Sequence, residues 1–208
     1  MLLRMLLAVV LAAGSALAQG TVEIENAWVR VLRVKQGPQE KAAEHQHPAS
    51  VAVYLTDVRQ RVNSVEVFHK AGDVAWFEAT KHTEENISDR PLEYILMELK
   101  PGAPPAKGWP VTLDPVKLDP KHHLVPIENS RVRVLRTILE PHLKGPKHDH
   151  PSYVVVYLTE LHTTMTMADG KQVDNPRRPG EIAWRDAYSH TTENIGDQTA
   201  VEIQIELK

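Results

Sequence analysis

The sequence contains no cysteine among its 208 residues. This absence excludes disulfides, thiolate metal ligands and cysteine nucleophiles. Lysine and arginine form no basic stripe, so nucleic acid is not an expected partner. Beyond the amino-terminal segment, no apolar stretch is long enough to span a bilayer. We therefore expect no membrane contact once that segment has been removed.

Residues 1–18 have the pattern of a secretory signal peptide. Arg4 gives a short positive start, residues 5–13 are apolar, and an A-x-A cleavage sequence ends at Ala18. The apolar run is too short to act as a membrane anchor. We therefore expect export to the periplasm or to the extracellular space, with a mature chain that begins at Gln19.

An internal repeat organises the rest of the chain. Residues 24–33 match residues 127–136, which lie 103 positions later, and residues 82–87 match residues 190–195, which lie 108 positions later. Both copies end on the same tripeptide, Glu-Leu-Lys. At about 80 to 85 residues each, the copies are too long for a solenoid unit and have the size of a small domain.

Short β-branched runs and alternation of apolar with polar residues predict strands in both copies, and residues 201–207 alternate strictly. Glycine, proline, asparagine and aspartate punctuate the runs, which is typical of a sandwich or barrel. The proline-rich stretch between the copies forbids regular helix and predicts a stiff linker, anchored by Trp109. We therefore predict an all-β chain with a signal peptide at 1–18, barrels at 19–100 and 122–208, and a linker at 101–121.

Two histidine pairs mark the candidate site. His148 and His150 flank one residue just before a strand-like run, and His45 and His47 repeat this arrangement in the first copy. Residues i and i+2 of a strand point to the same face, so each pair aims two imidazoles into one volume. Two neutral imidazoles placed in this way can chelate a divalent metal ion.

These residues resemble the two motifs of the cupin superfamily, whose members are small jelly-roll (double-stranded β-helix) barrels and, in tandem, bicupins. The first motif combines a glycine, H-x-H and a glutamate, and the second combines P-x-G, a histidine and an asparagine four residues later. The second copy matches at Gly145, His148, His150, Pro179, Gly180, His190 and Asn194. The first copy matches more loosely at Gly37, His45, His47, Gly72, His82 and Asn86. The resemblance covers nearly all of the mature chain outside the linker.

The resemblance departs at the glutamate of the first motif. Its places hold Val51 and Ala52 in the first copy and Val154 and Val155 in the second. The usual site of three histidines and one glutamate therefore cannot assemble in the standard way. A three-histidine set remains in each copy, namely His45, His47 and His82 in the first and His148, His150 and His190 in the second. Some cupin dioxygenases, which act on thiols and on diketones, use three histidines alone.

The resemblance implies one divalent transition metal ion per occupied barrel, and iron, zinc, copper, nickel and manganese all accept imidazole ligands. We expect the third histidine to close each site from a facing strand, with nitrogens about 3 to 4 Å apart, as ligation near 2.0–2.2 Å requires. The second copy keeps more of the motif and is the better candidate. The alternative is a metal-free barrel in which the histidines form hydrogen bonds with one another and with buried water.

For function, the resemblance implies metal-dependent chemistry on a small molecule, with oxidation by dioxygen ahead of isomerisation or decarboxylation. The alternative is a non-catalytic module that binds a small ligand or a protein partner, or that is purely structural. The two histidine triads favour the enzyme, whereas the absent glutamates favour the module. A homo-oligomer is compatible with either, and no catalytic residue beyond the metal ligands is identified.

Four further residues are candidates for the pocket wall or for orienting a ligand or water near the metal: Asn86, Asn194, Trp76 and Trp184. Each asparagine shares strand parity with the preceding triad histidine, although an asparagine there also suits a turn cap. Each tryptophan also suits the core. The histidines that lack a counterpart in the other copy are predicted at the surface: His69, His122, His123, His142 and His162.

The signal peptide gives a first testable prediction. Because cleavage is expected after Ala18, protein recovered from its native host should begin at Gln19. Mass spectrometry of the intact protein from separated cell fractions measures this directly. Recovery of the full chain with Met1 from the cytosolic fraction would contradict export.

Overall fold

The computed structural model describes residues 20–208, so the predicted signal peptide lies outside the described residues. The first copy contains the strands β1 (Thr21–Glu25), β2 (Val29–Gln36), β3 (Lys41–His47), β4 (Ser50–Tyr54), β5 (Val58–Val62), β6 (Val65–His69), β7 (Val74–Phe77), β8 (Thr80–Asn86) and β9 (Leu92–Leu99). A short helix, α1 (Pro115–Leu118), follows. The second copy contains β10 (His123–Glu128), β11 (Val132–Leu139), β12 (His148–His150), β13 (Tyr153–Tyr157), β14 (Leu161–Met167), β15 (Gln172–Arg177), β16 (Ile182–Arg185), β17 (Tyr188–Asn194) and β18 (Ala200–Leu207).

Each copy folds as a jelly-roll barrel of two antiparallel sheets, which confirms the predicted all-β tandem architecture. In barrel 1 the strand orders are β1-β2-β9-β4-β7 and β3-β8-β5-β6. In barrel 2 they are β10-β11-β18-β13-β16 and β12-β17-β14-β15, which repeats the same topology. Within residues 20–208, no helix has the length and apolar character needed to cross a membrane.

The last strand of each copy contributes side chains to two interiors, the core shared by the barrels and the inside of its own barrel. In β18, Ile203 and Ile205 lie in a core shared by both barrels, whereas Gln204 and Glu206 point to the opposite face, inside barrel 2. In β9, Met97 lies in the shared core in the same way. Because successive side chains of a strand alternate between faces, one strand serves both interiors without interruption.

The shared core packs the five-stranded sheet of one barrel against that of the other. Seven side chains from each copy are buried in it: Val29, Val31, Val51, Val53, Ile95, Met97 and Leu99, and Val132, Val134, Val154, Val156, Ile203, Ile205 and Leu207. Burying a side chain of this kind stabilises a fold by roughly 1.5–3 kcal/mol. Separation of the two barrels would therefore expose a large apolar face on each.

Two arginines exchange hydrogen bonds between the barrels. The Arg33 guanidinium donates to the Gly180 carbonyl at 2.6 Å, and its repeat counterpart Arg136 donates to the Gly72 carbonyl. Both glycines have positive φ, 81° and 88°, in the turns before β16 and β7. A side chain at either position would be strained, so glycine keeps each carbonyl in place for the arginine of the other barrel.

The segment between the barrels packs against barrel 2. The Trp109 ring lies 5.0 Å from the Arg133 guanidinium and 4.8 Å from Lys208 Nζ, which confirms its role as an anchor. The expectation that proline excludes helix from this segment is wrong for α1. Proline is tolerated in a first helical turn, and here Pro115 follows Asp114, whose side chain caps the helix.

We predict that Arg136→Ala lowers the free energy of unfolding by about 1–2 kcal/mol, because a hydrogen bond from a charged donor across the two barrels is lost. Urea unfolding followed by circular dichroism measures this. Arg131→Ala is the matched control, since Arg131 is exposed and such changes usually stay within about 0.5 kcal/mol. Equal stabilities for the two variants would contradict a role for this contact.

Candidate metal centres

The strand register brings the third histidine of each triad to the first. In barrel 2, β12 pairs with β17 so that His148 lies directly opposite His190. In barrel 1, β3 pairs with β8 and places His45 opposite His82. The third histidine therefore comes from the neighbouring, hydrogen-bonded strand, and the expectation that it closes the site from a facing strand is wrong.

The two triads have nearly the same geometry. In barrel 2 the imidazole centroids are 4.8 Å apart for the two histidines of β12, and His190 lies 4.5 Å from His148 and 5.4 Å from His150. The corresponding distances in barrel 1 are 4.9, 4.6 and 5.5 Å. Within each triad, one nitrogen per ring lies within 4.8 Å of the others. This bound is wider than the expected 3 to 4 Å, but it keeps all three imidazoles around one volume.

Hydrogen bonds at Nδ1 fix the orientation of the H-x-H imidazoles. His148 Nδ1 donates to the Pro146 carbonyl at 2.8 Å, and His45 Nδ1 donates to the Ala43 carbonyl at 2.7 Å. The second histidine of each pair, His150 or His47, donates instead to a carboxylate. Because Nδ1 carries the proton in each ring, the lone pair is on Nε2, where a metal ion can accept it.

The carboxylates that hold the second histidines were missed from the sequence. Glu206 Oε1 accepts from His150 Nδ1 at 2.8 Å, and Glu98 Oε1 accepts from His47 Nδ1 at 2.6 Å. Both are the glutamates of the repeated Glu-Leu-Lys tripeptides. Their signal was present, since in β18 the alternation places Glu206 on the face opposite the apolar residues. No local motif links these glutamates to the histidines, because they are far from them in sequence.

An arginine balances the charge of each of these glutamates. Arg133 Nε donates to Glu206 at 2.6 Å, and Arg30 lies 3.5 Å from Glu98. Burial raises the pKa of Glu206 to about 6, and the hydrogen bond and charge of Arg133 oppose that rise. The carboxylate is therefore ionised at neutral pH, and it can hold the imidazole proton of His150 in place.

Burial also favours the neutral form of four of the six triad imidazoles. It is the largest cause that lowers the pKa of His190 to about 2 and the pKa of His82 to about 4, and the neighbouring imidazoles add to it. Burial lowers the pKa of His148 and His150 as well. Neutral imidazole is the form that binds metal ions, so at neutral pH no proton needs to leave these rings before ligation.

Unpartnered nitrogens test whether the triads fit a metal ion. His45 Nε2, His82 Nδ1, His150 Nε2 and His190 Nδ1 are buried and have no hydrogen-bond partner in residues 20–208. A buried polar atom without a partner costs about 1–3 kcal/mol. Four such atoms in two triads fit ligation of a divalent transition metal ion, with imidazole as the donor.

Both asparagines of the candidate set cap turns. Asn194 Nδ2 donates to the carbonyls of Leu139, Glu140 and Gln198, at 2.9 to 3.2 Å. Asn86 makes the equivalent bonds in barrel 1, and its Oδ1 accepts from the backbone of Ser88. With their amides satisfied by backbone, these side chains fix the turn after the third histidine, and neither lines a cavity beside a triad.

The two tryptophans face away from the triads. Trp184 stacks on Trp28 of the other barrel with centroids 5.4 Å apart, and both Trp76 and Trp184 pack against the shared core. The register explains this, because β13 pairs Val154 with Trp184 and Val154 lies in that core. The expectation that they form the pocket wall is therefore not met.

Two of the histidines predicted at the surface are buried. His122 Nδ1 donates to the Asp119 carboxylate at 2.7 Å, and His123 lies with its ring 5.3 Å from that of His148, lining the barrel 2 cavity. The repeat gave no signal for His123, since Gly20 holds its place in the first copy. His69 is half-buried and stacks on Tyr54, whereas His142 and His162 are exposed, as predicted.

Comparisons with known proteins rest on structure. No protein-family model matches the chain, and no curated protein matches it. AerE from Microcystis aeruginosa superposes with a TM-score of 0.63 and 15% identity, over 86% of this chain and 88% of that one. Salicylate 1,2-dioxygenase from Pseudoaminobacter salicylatoxidans, as adducts with gentisate, gives 0.58 and 12%, over 86% and 68%. A cupin 2 conserved barrel domain protein from Leptotrichia buccalis gives 0.55 and 11%, over 91% and 88%.

Identities this low show a shared fold and no more. The matches extend over most of this chain, so both barrels take part in them. The topology, the repeated H-x-H strands and the third histidine on the paired strand agree with that likeness. The chain therefore has the fold of the cupin structures that it superposes on, with two jelly-roll barrels in tandem, the bicupin arrangement.

Proposed function

We propose that the protein is an exported, metal-dependent bicupin that oxidises a small molecule with dioxygen. The observation that carries this proposal is the set of four buried imidazole nitrogens without a partner, distributed over two triads. Three neutral imidazoles leave a divalent ion its full charge and open positions. Such an ion supplies Lewis-acid chemistry and, if it is iron or copper, redox chemistry.

The chain's own residues orient the ligands and place a carboxyl group beside one triad. Glu206 and Glu98 hold the second histidine of each pair in one tautomer, with Nε2 directed at the triad. In barrel 1, Glu84 lies beside the triad, 3.9 Å from His82 Nε2, and burial raises its pKa. A carboxyl group there can accept or donate a proton next to a bound molecule.

The dioxygenase reading is supported by the fold comparison. Salicylate 1,2-dioxygenase shares the tandem fold, and its structure was determined with gentisate. Where both oxygen atoms of dioxygen enter one product and the substrate itself gives up all four electrons, as in cleavage of a carbon–carbon bond or oxidation of a thiol to a sulfinate, no separate reductant is consumed. Three histidines without a glutamate suit such a reaction, because a metal ion held by them would keep positions free for small molecules.

The second candidate function is a non-catalytic module that binds a small ligand or a partner. One observation favours it. The places of the glutamate ligand hold Val51, Ala52, Val154 and Val155, whose apolar side chains have no donor atom for a metal ion. The module and the enzyme differ in whether dioxygen is consumed.

We predict that purified protein binds close to two divalent metal ions per chain after reconstitution, because both triads fit one. The double variant His148→Ala/His150→Ala should lose one of them and His45→Ala/His47→Ala the other. Mass spectrometry of the metal content measures both losses. Loaded with iron, the wild-type protein should consume dioxygen with at least one member of a panel of hydroxybenzoates, diketones and thiols. The variant that combines the two double substitutions should not.

The control for this experiment is His142→Ala/His162→Ala, which removes two exposed histidines outside the triads. It should keep the wild-type metal content and oxygen uptake. Wild-type protein that stays free of iron, zinc, copper, nickel and manganese after reconstitution would contradict the metal site. Metal-loaded protein without oxygen uptake on any panel member would favour the module.

We predict that Glu98→Gln weakens metal binding to barrel 1 by roughly 10- to 100-fold, because removing a carboxylate behind a metal-ligating histidine has effects of that size. Zinc titration of metal-free His148→Ala/His150→Ala protein, which keeps the barrel 1 triad alone, isolates this site. Glu44→Gln is the control, since Glu44 lies exposed on β3, the strand that carries His47. Equal zinc affinity in both variants would show that Glu98 does not position His47.

A further inference from the structure

The two triads face cavities of very different size. The cavity beside His47 and His82 in barrel 1 has a volume of about 280 Å³. The cavity beside His148 and His190 in barrel 2 has about 30 Å³. A buried water molecule needs about 10–15 Å³, so barrel 2 has room for little more than water. Barrel 1 has room for a small organic molecule.

Residue size at two repeat positions explains this difference. Tyr153 and Tyr188 of barrel 2 correspond to Ser50 and Thr80 of barrel 1. The two tyrosine hydroxyls are 2.6 Å apart, and the Tyr188 ring stacks on His190 with centroids 4.7 Å apart. The tyrosine pair therefore fills the space beside the triad of barrel 2, whereas the smaller side chains leave it open in barrel 1.

The linker also closes barrel 2 at the triad end. Asp149, between the two histidines of β12, exchanges hydrogen bonds of 2.9 Å with Leu113, and Ser152 N donates to the Lys107 carbonyl at 3.0 Å. The strand β3 of barrel 1 is not covered in this way, since Gln46 between its two histidines is exposed. This explains why the barrel 2 triad is buried and the barrel 1 triad is half-buried.

The walls of the barrel 1 cavity are mainly apolar, and polar side chains line it at the triad and also at Asn63, His69 and Thr80. Apolar lining comes from Ala52, Val62, Val67, Phe77 and Leu96. The triad side of the cavity presents His47, His82 and Glu84, and Glu84 already accepts hydrogen bonds from Gln36 at 2.9 Å and Gln60 at 3.3 Å. Phe77 and Thr80 are exposed, so they lie at the mouth. Such a cavity fits a small molecule with an apolar body and one polar end.

We propose that the barrel 1 cavity is the ligand chamber of the protein, and that it takes a small, mainly apolar molecule whose single polar end faces His47 and His82. The inference rests on the proposed function and deepens it, since it assigns the reacting molecule to one barrel and to one chemical class. The tyrosine pair and the linker close barrel 2, so its triad does not contact that molecule.

The test uses 4-fluorophenol, an apolar ring with one hydroxyl, as the probe. Its binding is followed by fluorine NMR on the full chain, both after chelator treatment and after zinc loading. Ser50→Tyr/Thr80→Tyr copies the barrel 2 arrangement into barrel 1, and we expect it to weaken binding at least about tenfold, because the added rings occupy the chamber. Thr80→Tyr alone, at the exposed mouth, should weaken binding in the same direction and keeps the test valid if the double variant does not fold.

Thr83→Tyr is the matched control, since Thr83 lies exposed on the same strand and points away from the chamber. It should bind the probe like the wild type. The proposed ligand chamber would be contradicted by wild-type protein that does not bind 4-fluorophenol. It would also be contradicted by a Thr80→Tyr variant that binds the probe as well as Thr83→Tyr does. Probe binding by chelator-treated protein supports the chamber even if iron-loaded protein consumes no dioxygen, a result that would overturn the proposed oxidation alone.

Discussion

The last strand of each repeat contacts two interiors at once, and the rest of the molecule depends on that arrangement. On one face of β18, Ile203 and Ile205 join the core that holds the barrels together; on the other, Glu206 holds His150 from inside the barrel. In β9, Met97 and Glu98 do the same. A shift of register by one residue would place a carboxylate in the apolar core and an aliphatic side chain beside the histidines. The assembly of the barrels and the orientation of the metal ligands therefore have one physical basis.

The two barrels share this strand arrangement but differ in the space beside their triads. Their triads have centroid distances that agree within about 0.1 Å, yet the surroundings of the triads differ. Barrel 2 is filled by the hydrogen-bonded pair Tyr153 and Tyr188 and is covered by the linker. Barrel 1 keeps small side chains and an open mouth at the matching places. Strand pairing fixes the triad geometry, whereas side-chain volume decides what else can enter the barrel.

Charge is handled by pairing inside the barrels. Glu206 and Arg133 form a buried pair, which Asp114 of the linker extends at 2.9 Å from the Arg133 guanidinium. Glu98 pairs with the more exposed Arg30 in barrel 1. A buried carboxylate without a cation would be costly, so Arg133 lets Glu206 remain ionised beside an imidazole. The same group then serves both folding and ligand orientation.

Local pattern in the sequence determined the strands, the tandem repeat and the six histidines of the triads, because alternation and i, i+2 spacing are properties of a few consecutive residues. Tertiary structure alone decided which strand supplies the third histidine, that Trp184 faces the shared core, and that His123 is buried beside a triad. It also decided that Glu206 accepts a hydrogen bond from His150, although the two residues are 56 positions apart in the sequence. These relations depend on the pairing register and packing of strands far apart in the chain, and no local pattern carries that information.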